Sequence, residues 1–266
     1  MTRVASGAVL LLFAVLVVWF APALLFFIVA EALLVAAFIE YLALARESGL
    51  PVPAVPAGAA AVLTCAAFAR LAFGGYPSVP IDVVLMSAAV ALGSLTMAQW
   101  RGGRDALGLA SASIFPALYL GLPIGAMIAV RETRGREALF LMMLTVFVSD
   151  TAQYYCGRAF GRRPLARPIS PKKTVEGAVG GFICGSIFLA IVGGWWLPAV
   201  PVALRAALGA TVVALGIAGD LFESMLKRSA GVKDSSALIP GHGGVLDRID
   251  ALLFAAPVYY IVLKYV

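Results

Sequence analysis

The sequence predicts an all-α integral membrane protein of about nine transmembrane helices, with a polar cavity between helix ends opening to the cytoplasmic side. Three observations carry that prediction. Hydrophobic residues make up 62% of the chain and charged residues only 13%, with mean hydropathy +0.99, against about 25% charged in an ordinary soluble domain. A soluble chain of 266 residues needs a polar shell, and this one lacks the residues to build it. The apolar runs recur at the length that crosses a bilayer, about 20 residues for about 30 Å of hydrocarbon. The charges gather in a few interruptions, mostly in the second half.

Residues 4–44 carry only Glu31 and Glu40 as formal charges, enough apolar chain for two spans with a break at Ala21-Pro22. A basic start before an apolar run also suits a signal peptide, but the apolar pattern resumes directly after Pro22, which favours an uncleaved first helix. Further spans are expected near 54–73, 81–98, 106–129, 138–156, 177–197, 202–226 and 245–264. Residues 1–266 read as one polytopic domain. Residues 1–135 supply mainly lipid-facing and packing helices, and 136–266 form the half that carries chemistry. Glu31 and Glu40 belong to no motif and are expected in packing or interfacial roles. Trp195-Trp196 reads as an interface anchor. Cys65, Cys156 and Cys184 have no metal-ligand spacing and read as small buried hydrophobes.

The net charge of +6 comes from basic residues in short loops, which suits topology determinants and anionic lipid rather than nucleic acid. With the N-terminus cytoplasmic, nine spans put the two long basic segments, 157–174 and 227–248, on the cytoplasmic side with Arg101 and Arg104. Arg131, Arg134 and Arg136 then face outward, against the positive-inside tendency.

Asp220, Glu223, Ser224 and Lys227 fall at i, i+3, i+4 and i+7 and share one helix face. Ionisable groups within membrane helices are costly and mark a polar cavity or a partner. Lys233-Asp234 leads into Ile239-Pro240-Gly241-His242-Gly243-Gly244, then Asp247-Arg248-Ile249-Asp250 at the start of the last span. Asp247 and Asp250 are one turn apart. Carboxylates from two helix ends beside a glycine turn suit Mg²⁺ held by few protein ligands plus substrate phosphates. Gly243 and Gly244 let backbone N–H groups approach an anion. His242, the single histidine, cannot build a zinc site and suits either a turn hydrogen bond or a phosphate contact. Upstream, Ser170 before Pro171 reads as an N-cap opening a helix, with Lys172 and Lys173 in its first turn, where a bound anion would offset their conflict with the dipole. Asp150, Gln153 and Tyr154 share a face and are expected to line the same cavity.

The stretch Ser224-Met225-Leu226-Lys227-Arg228, Lys233-Asp234 and Pro240 to Asp250 resembles the motif of the phosphatidate cytidylyltransferases, or CDP-diacylglycerol synthases. A second stretch is also similar: Asp150-Thr151, Gly157-Arg158, Phe160-Gly161 and Ser170-Pro171-Lys172-Lys173-Thr174-Val175-Glu176-Gly177. Ala152-Gln153 departs mildly from the family pattern. The resemblance covers the C-terminal half, while the first half matches only in being apolar.

That resemblance implies nucleotidyl transfer from CTP to phosphatidic acid, giving CDP-diacylglycerol and pyrophosphate in phospholipid synthesis, at the inner (plasma) membrane with a cytoplasmic site. Asp220 and Asp247 are the expected Mg²⁺ ligands, with Glu223 and Asp250 beside them and Lys227 catalytic. Ser170, Lys172, Lys173, Thr174, Glu176, Ser224, Arg228, Lys233, Asp234, His242, Gly243, Gly244, Arg248 and Asp150 are the expected substrate contacts. The resemblance further implies K⁺ at the carboxylate site and a homodimer, with no nucleic-acid partner. Two rivals stay open on sequence: activation of a different lipid phosphate, and a cation-coupled transporter whose carboxylates are ion sites.

Overall fold

The apolar runs become helices in the computed structural model, which describes residues 2–71, 74, 79–102, 105–239, 241 and 243–266. The helices are α1 (Thr2–Phe20), α2 (Ala23–Glu47), α3 (Ala54–Ala66), α4 (Ile81–Gln99), α5 (Ala106–Pro116), α6 (Leu122–Arg134), α7 (Arg136–Phe160), α8 (Val175–Trp196), α9 (Val202–Ser229) and α10 (Leu246–Lys264). A π turn at Ala117–Gly121 joins α5 to α6, so the two run as one interrupted span. Pro116 offers no amide to the helical ladder, and the backbone widens directly after it. The break at Ala21-Pro22 stands where the sequence puts it.

Six helices among the described residues are long and apolar enough to cross a membrane: α2, α4, the α5–α6 unit, α7, α8 and α9. The other three expected spans differ for separate reasons. In α1, Gly7–Phe20 is the apolar stretch among the described residues, within a helix of 19 residues. In α3 the helix ends after 13 residues, about 20 Å at 1.5 Å per residue, rather than continuing to residue 73. Beyond the helix end Glu132 accepts the amides of Arg70 and Leu71 at 2.9 and 3.0 Å. In α10, 19 residues long, Asp247, Arg248 and Asp250 interrupt the apolar sequence at its start.

The expected helix start at Ser170 is corrected. Ser170–Thr174 is a strand, β2, paired antiparallel with β1 (Pro164–Ala166), with Ala166 opposite Ser170 and Pro164 opposite Thr174. Helix α8 begins five residues later than Ser170, and Thr174 is its N-cap, accepting from the Gly177 amide at 3.2 Å. Five extended residues let the basic segment fold back on β1, and the serine–proline pair serves the strand instead of the helix.

The C-terminal half is assembled around α8, which packs on α7 and α9, while α10 packs on α9 and α6. Buried Gly177, Gly181 and Gly185 repeat every fourth residue and leave a smooth stripe on α8. At the other end of the bundle, three arginines near the α6–α7 corner bind helix carbonyls. Arg131 donates to Val18 O (3.0 Å) and Ala21 O, Arg134 to Leu263 O, and Arg136 to Trp19 O (2.9 Å). Arg131 also lies 4.4 Å over the Phe26 ring. Arg104 lies outside the described residues.

Candidate active site

The end of α7, the start of α8, the end of α9 and the start of α10 meet at one end of the bundle. The predicted face of α9 holds: Glu223, Ser224 and Lys227 are buried and Asp220 half-buried, while Met225 and Arg228 turn outward. Helix α9 stops in a Schellman turn, with Gly231 at φ +72°, its amide on Arg228 O and the Val232 amide on Lys227 O. That turn aims residues 232–239 back toward the helix end, where the Ser235 amide meets Asp247. An antiparallel bridge between Ile239 and Gly243 narrows the loop, with Gly243 at φ +79°. A side chain at Gly243 would begin 2.5 Å from Asp247 Oδ2.

The carboxylates fall into two adjoining groups. In the first, Lys227 pairs with both Glu223 and Asp247. Asp247 Oδ2 also accepts from the Ser235 amide (3.0 Å), the Ser235 hydroxyl (2.8 Å) and the Gly244 amide (2.8 Å). Glu223 is fully buried, and its pairing with Lys227 gives neither oxygen a well-directed hydrogen bond. In the second, Lys173 on β2 pairs with Asp220, whose other oxygen receives a long 3.5 Å contact from Ser224. Asp150, Asp220 and Asp250 are close enough to repel one another, and the charges of Lys173 and Arg248 also reach Asp150. Asp247 and Asp250, expected to project together, therefore join different groups.

Several expected substrate contacts are engaged with the backbone. Glu176 accepts the Arg162 and Arg163 amides at 3.0 and 3.2 Å, closing the turn out of α7. Arg228 donates to Ile169 O (3.3 Å) and Val232 O (2.8 Å), tying the hairpin to the α9 turn. Lys172, Lys233, Asp234 and Arg248 are exposed at the rim, and Ser170 is half-buried on β2. Gln153 donates to Asp150 at 2.9 Å, whereas Tyr154 is 61% exposed, packs edge-on against Tyr155 and does not join the groups. Arg162, Pro164, Arg167, Pro171 and Thr174 line a cavity of about 530 Å³ on the hairpin side. His242 lies outside the described residues.

Glu40 enters the site unforeseen, as a buried carboxylate on α2 bonded to Ser235, Ser236 and the start of α10. An acid in an apolar run is a visible signal in the sequence. Its partners, some 200 residues away, are not.

Among the described residues no three His, Cys, Asp or Glu side chains form a group able to hold a metal ion alone. Asp220 and Asp247, hard oxygen donors each paired with a lysine, are carboxylates of the kind that hold a divalent cation when its remaining ligands come from a phosphorylated substrate.

The model of the cytidylyltransferase family matches residues 1–266. A phosphatidate cytidylyltransferase of Mycobacterium bovis is 37% identical over 267 residues, covering 96% of this chain and 84% of that protein. One of Aquifex aeolicus is 40% identical over 149 residues, which span 56% of this chain and about half, 54%, of the relative. One of Haemophilus influenzae is 44% identical over 130 residues, 46% of this chain and 45% of the relative.

Proposed function

The chain belongs to the cytidylyltransferase family, and from that membership we propose that it transfers the cytidylyl group of CTP to phosphatidic acid. The products are CDP-diacylglycerol and pyrophosphate. One observation in the site carries the reading: two carboxylate groups, each held by a lysine, meet at helix ends beside a glycine loop. A transporter would place its ion-binding carboxylates along several helices at mid-depth. Here Asp220, Glu223, Asp247 and Asp250 gather at one end of the bundle, where a soluble nucleotide and a lipid headgroup can both arrive.

A phosphate oxygen of phosphatidate forms a bond to the α-phosphorus of CTP as the bond to the β-phosphate oxygen breaks. The nucleophile is already an anion near neutral pH, so the protein's tasks are positioning and neutralisation of the leaving pyrophosphate. Lys173 and Lys227 are the cations best placed for this, because each is held at the site by a carboxylate it can exchange for phosphate. Ser170, Thr174, Ser224, Arg228 and Lys233 flank them as polar contacts, and Gly243 and Gly244 offer backbone approach. Mg²⁺ would be held by Asp220 and, once Lys227 turns to a phosphate, by Asp247, with Asp250 beside Asp220. When bound it supplies charge neutralisation at the phosphate oxygens. K⁺ in the same carboxylate site, a homodimer, and an inner-membrane location with the site facing the cytoplasm complete the proposal.

Purified protein in detergent with CTP, Mg²⁺ and phosphatidate is expected to release pyrophosphate and form CDP-lipid. Asp220→Asn is expected to fold normally and lose at least about a hundredfold in turnover, on the order of 2.7 kcal/mol in barrier. Folded protein inactive on every lipid phosphate offered, with Mg²⁺ present, would sink the reading. Preference for a different lipid phosphate in a side-by-side assay would correct the acceptor alone.

A further inference from the structure

Glu40 lies on α2, in the half of the chain expected mainly to face lipid and pack, yet its carboxylate reaches the site. It is 4% exposed and fully bonded. Oε1 accepts from the Ser236 hydroxyl at 2.7 Å and the Val245 amide at 2.9 Å. Oε2 accepts from the Ser235 hydroxyl at 2.9 Å and the Leu246 amide at 2.8 Å. Val245, the residue at the N-cap of α10, makes no side-chain cap of its own. The first amides of a helix have no intrahelical acceptor, and an anion placed there also meets the positive end of the helix dipole. Glu40 thus caps α10 from another helix.

The capped turn is the one that carries Asp247. Ser235 links the two carboxylates directly, its hydroxyl standing 2.9 Å from Glu40 Oε2 and 2.8 Å from Asp247 Oδ2. A hydroxyl has one proton, so it donates to one of them at a time. The approach is tight as well: a Cβ on Gly244 would lie 2.2 Å from Ser235 Oγ and 2.4 Å from both Glu40 oxygens. Glu40 therefore holds both the amides leading into Asp247 and the serine beside it.

We propose that Glu40 is a positioning residue for cytidylyl transfer, which sets the orientation of Asp247 through Ser235 and the first turn of α10. The proposal rests on the reading of Asp247 as part of the catalytic site. Glu40 itself touches no substrate. Its loss misplaces a group that acts later in the reaction than binding, so the effect belongs in kcat more than in KM.

The experiment uses the full chain, purified in detergent, as Glu40→Gln, Ser235→Ala, Asp247→Asn and the Glu40→Gln/Asp247→Asn double variant. Gln keeps the size of Glu but turns an NH₂ group toward donors that had an acceptor. In Glu40→Gln, kcat is expected to fall at least about tenfold, with KM for CTP and for phosphatidate within about threefold of the parent. In the Asp247→Asn background the same change is expected to move the residual rate by less than about twofold, because its target is already gone. A packing role alone would lower the melting temperature and change the rate by the same factor in both backgrounds, which overturns the proposal. So does an unchanged kcat in Glu40→Gln. If Glu40→Gln fails to fold, Ser235→Ala decides: a tenfold fall in kcat at steady KM supports the link, and a kcat within about twofold overturns it. Normal turnover in Asp247→Asn would withdraw the site reading itself. Loss in Asp247→Asn with normal turnover in Glu40→Gln removes only the role of Glu40.

Discussion

Lys172 and Lys173 are adjacent, carry the same charge and are indistinguishable by composition, yet the strand separates them. Successive side chains on β2 point to opposite faces. Lys173 turns inward to Asp220 and Lys172 stays exposed. In a helix's first turn both would have stood near a bound anion. On the strand only Lys173 faces the carboxylates, and Lys173→Ala is expected to lower kcat/KM for CTP at least about tenfold, roughly 1.4 kcal/mol. Lys172→Ala is expected to lower it by less than about threefold, since an exposed charge acts through water. Initial rates against CTP concentration measure both. Equal losses would mean the two lysines share the phosphate and the strand's alternation does not matter.

The element that most constrains the site is α8, because its glycine stripe sets how closely α7 approaches. A Cβ on Gly181 would lie 2.3 Å from Gln153 Cγ and 2.8 Å from Ser149 O, on the turn of α7 that carries Asp150. The second of these is backbone and cannot swing aside. Gly181→Ala is therefore expected to destabilise by about 1–3 kcal/mol, as overpacking does, and to reduce turnover by displacing Asp150. Gly93 on α4 has nothing within 4 Å of its Cβ position. There Gly93→Ala is expected to leave the melting temperature unchanged or raise it, because alanine favours helix by up to about 1 kcal/mol. Thermal melts in detergent compare the two, and a harmless Gly181→Ala would show that the helices can separate freely.

For the molecule as a whole, the arginines at the α6–α7 corner no longer argue against a cytoplasmic site. Arg131, Arg134 and Arg136 are bound to the carbonyls that end α1 and α10, where cations are favoured by the dipole. Residues held in this way serve helix ends first and are poor markers of topology. The site stands at the opposite end of α7. With Cys65, Cys156 and Cys184 replaced, single cysteines at exposed Arg163 and Ala237 are expected to resist an impermeant thiol reagent in intact cells and to react after permeabilisation. Labelling of either in intact cells would put the site on the other face.

The class of protein, the break at Pro22, the shared face of Asp220, Glu223 and Lys227, and the motifs of the C-terminal half are all determined by the sequence alone. Composition and helical spacing act over a few turns, and they are written in consecutive residues. The resemblance is legible for the same reason, since its residues lie within two short stretches. Tertiary structure alone decides which groups meet. It turns 170–174 into a strand because β1 is there to pair with, divides Asp247 from Asp250, and gives the arginines carbonyls to bind. It also makes Glu40 the cap of a helix that begins 206 residues later. A buried charge in an apolar helix must find partners, because leaving it unpaired is costly. The sequence records that need as a single acidic residue in a hydrophobic run, and only the packing of the helices supplies the donors that answer it.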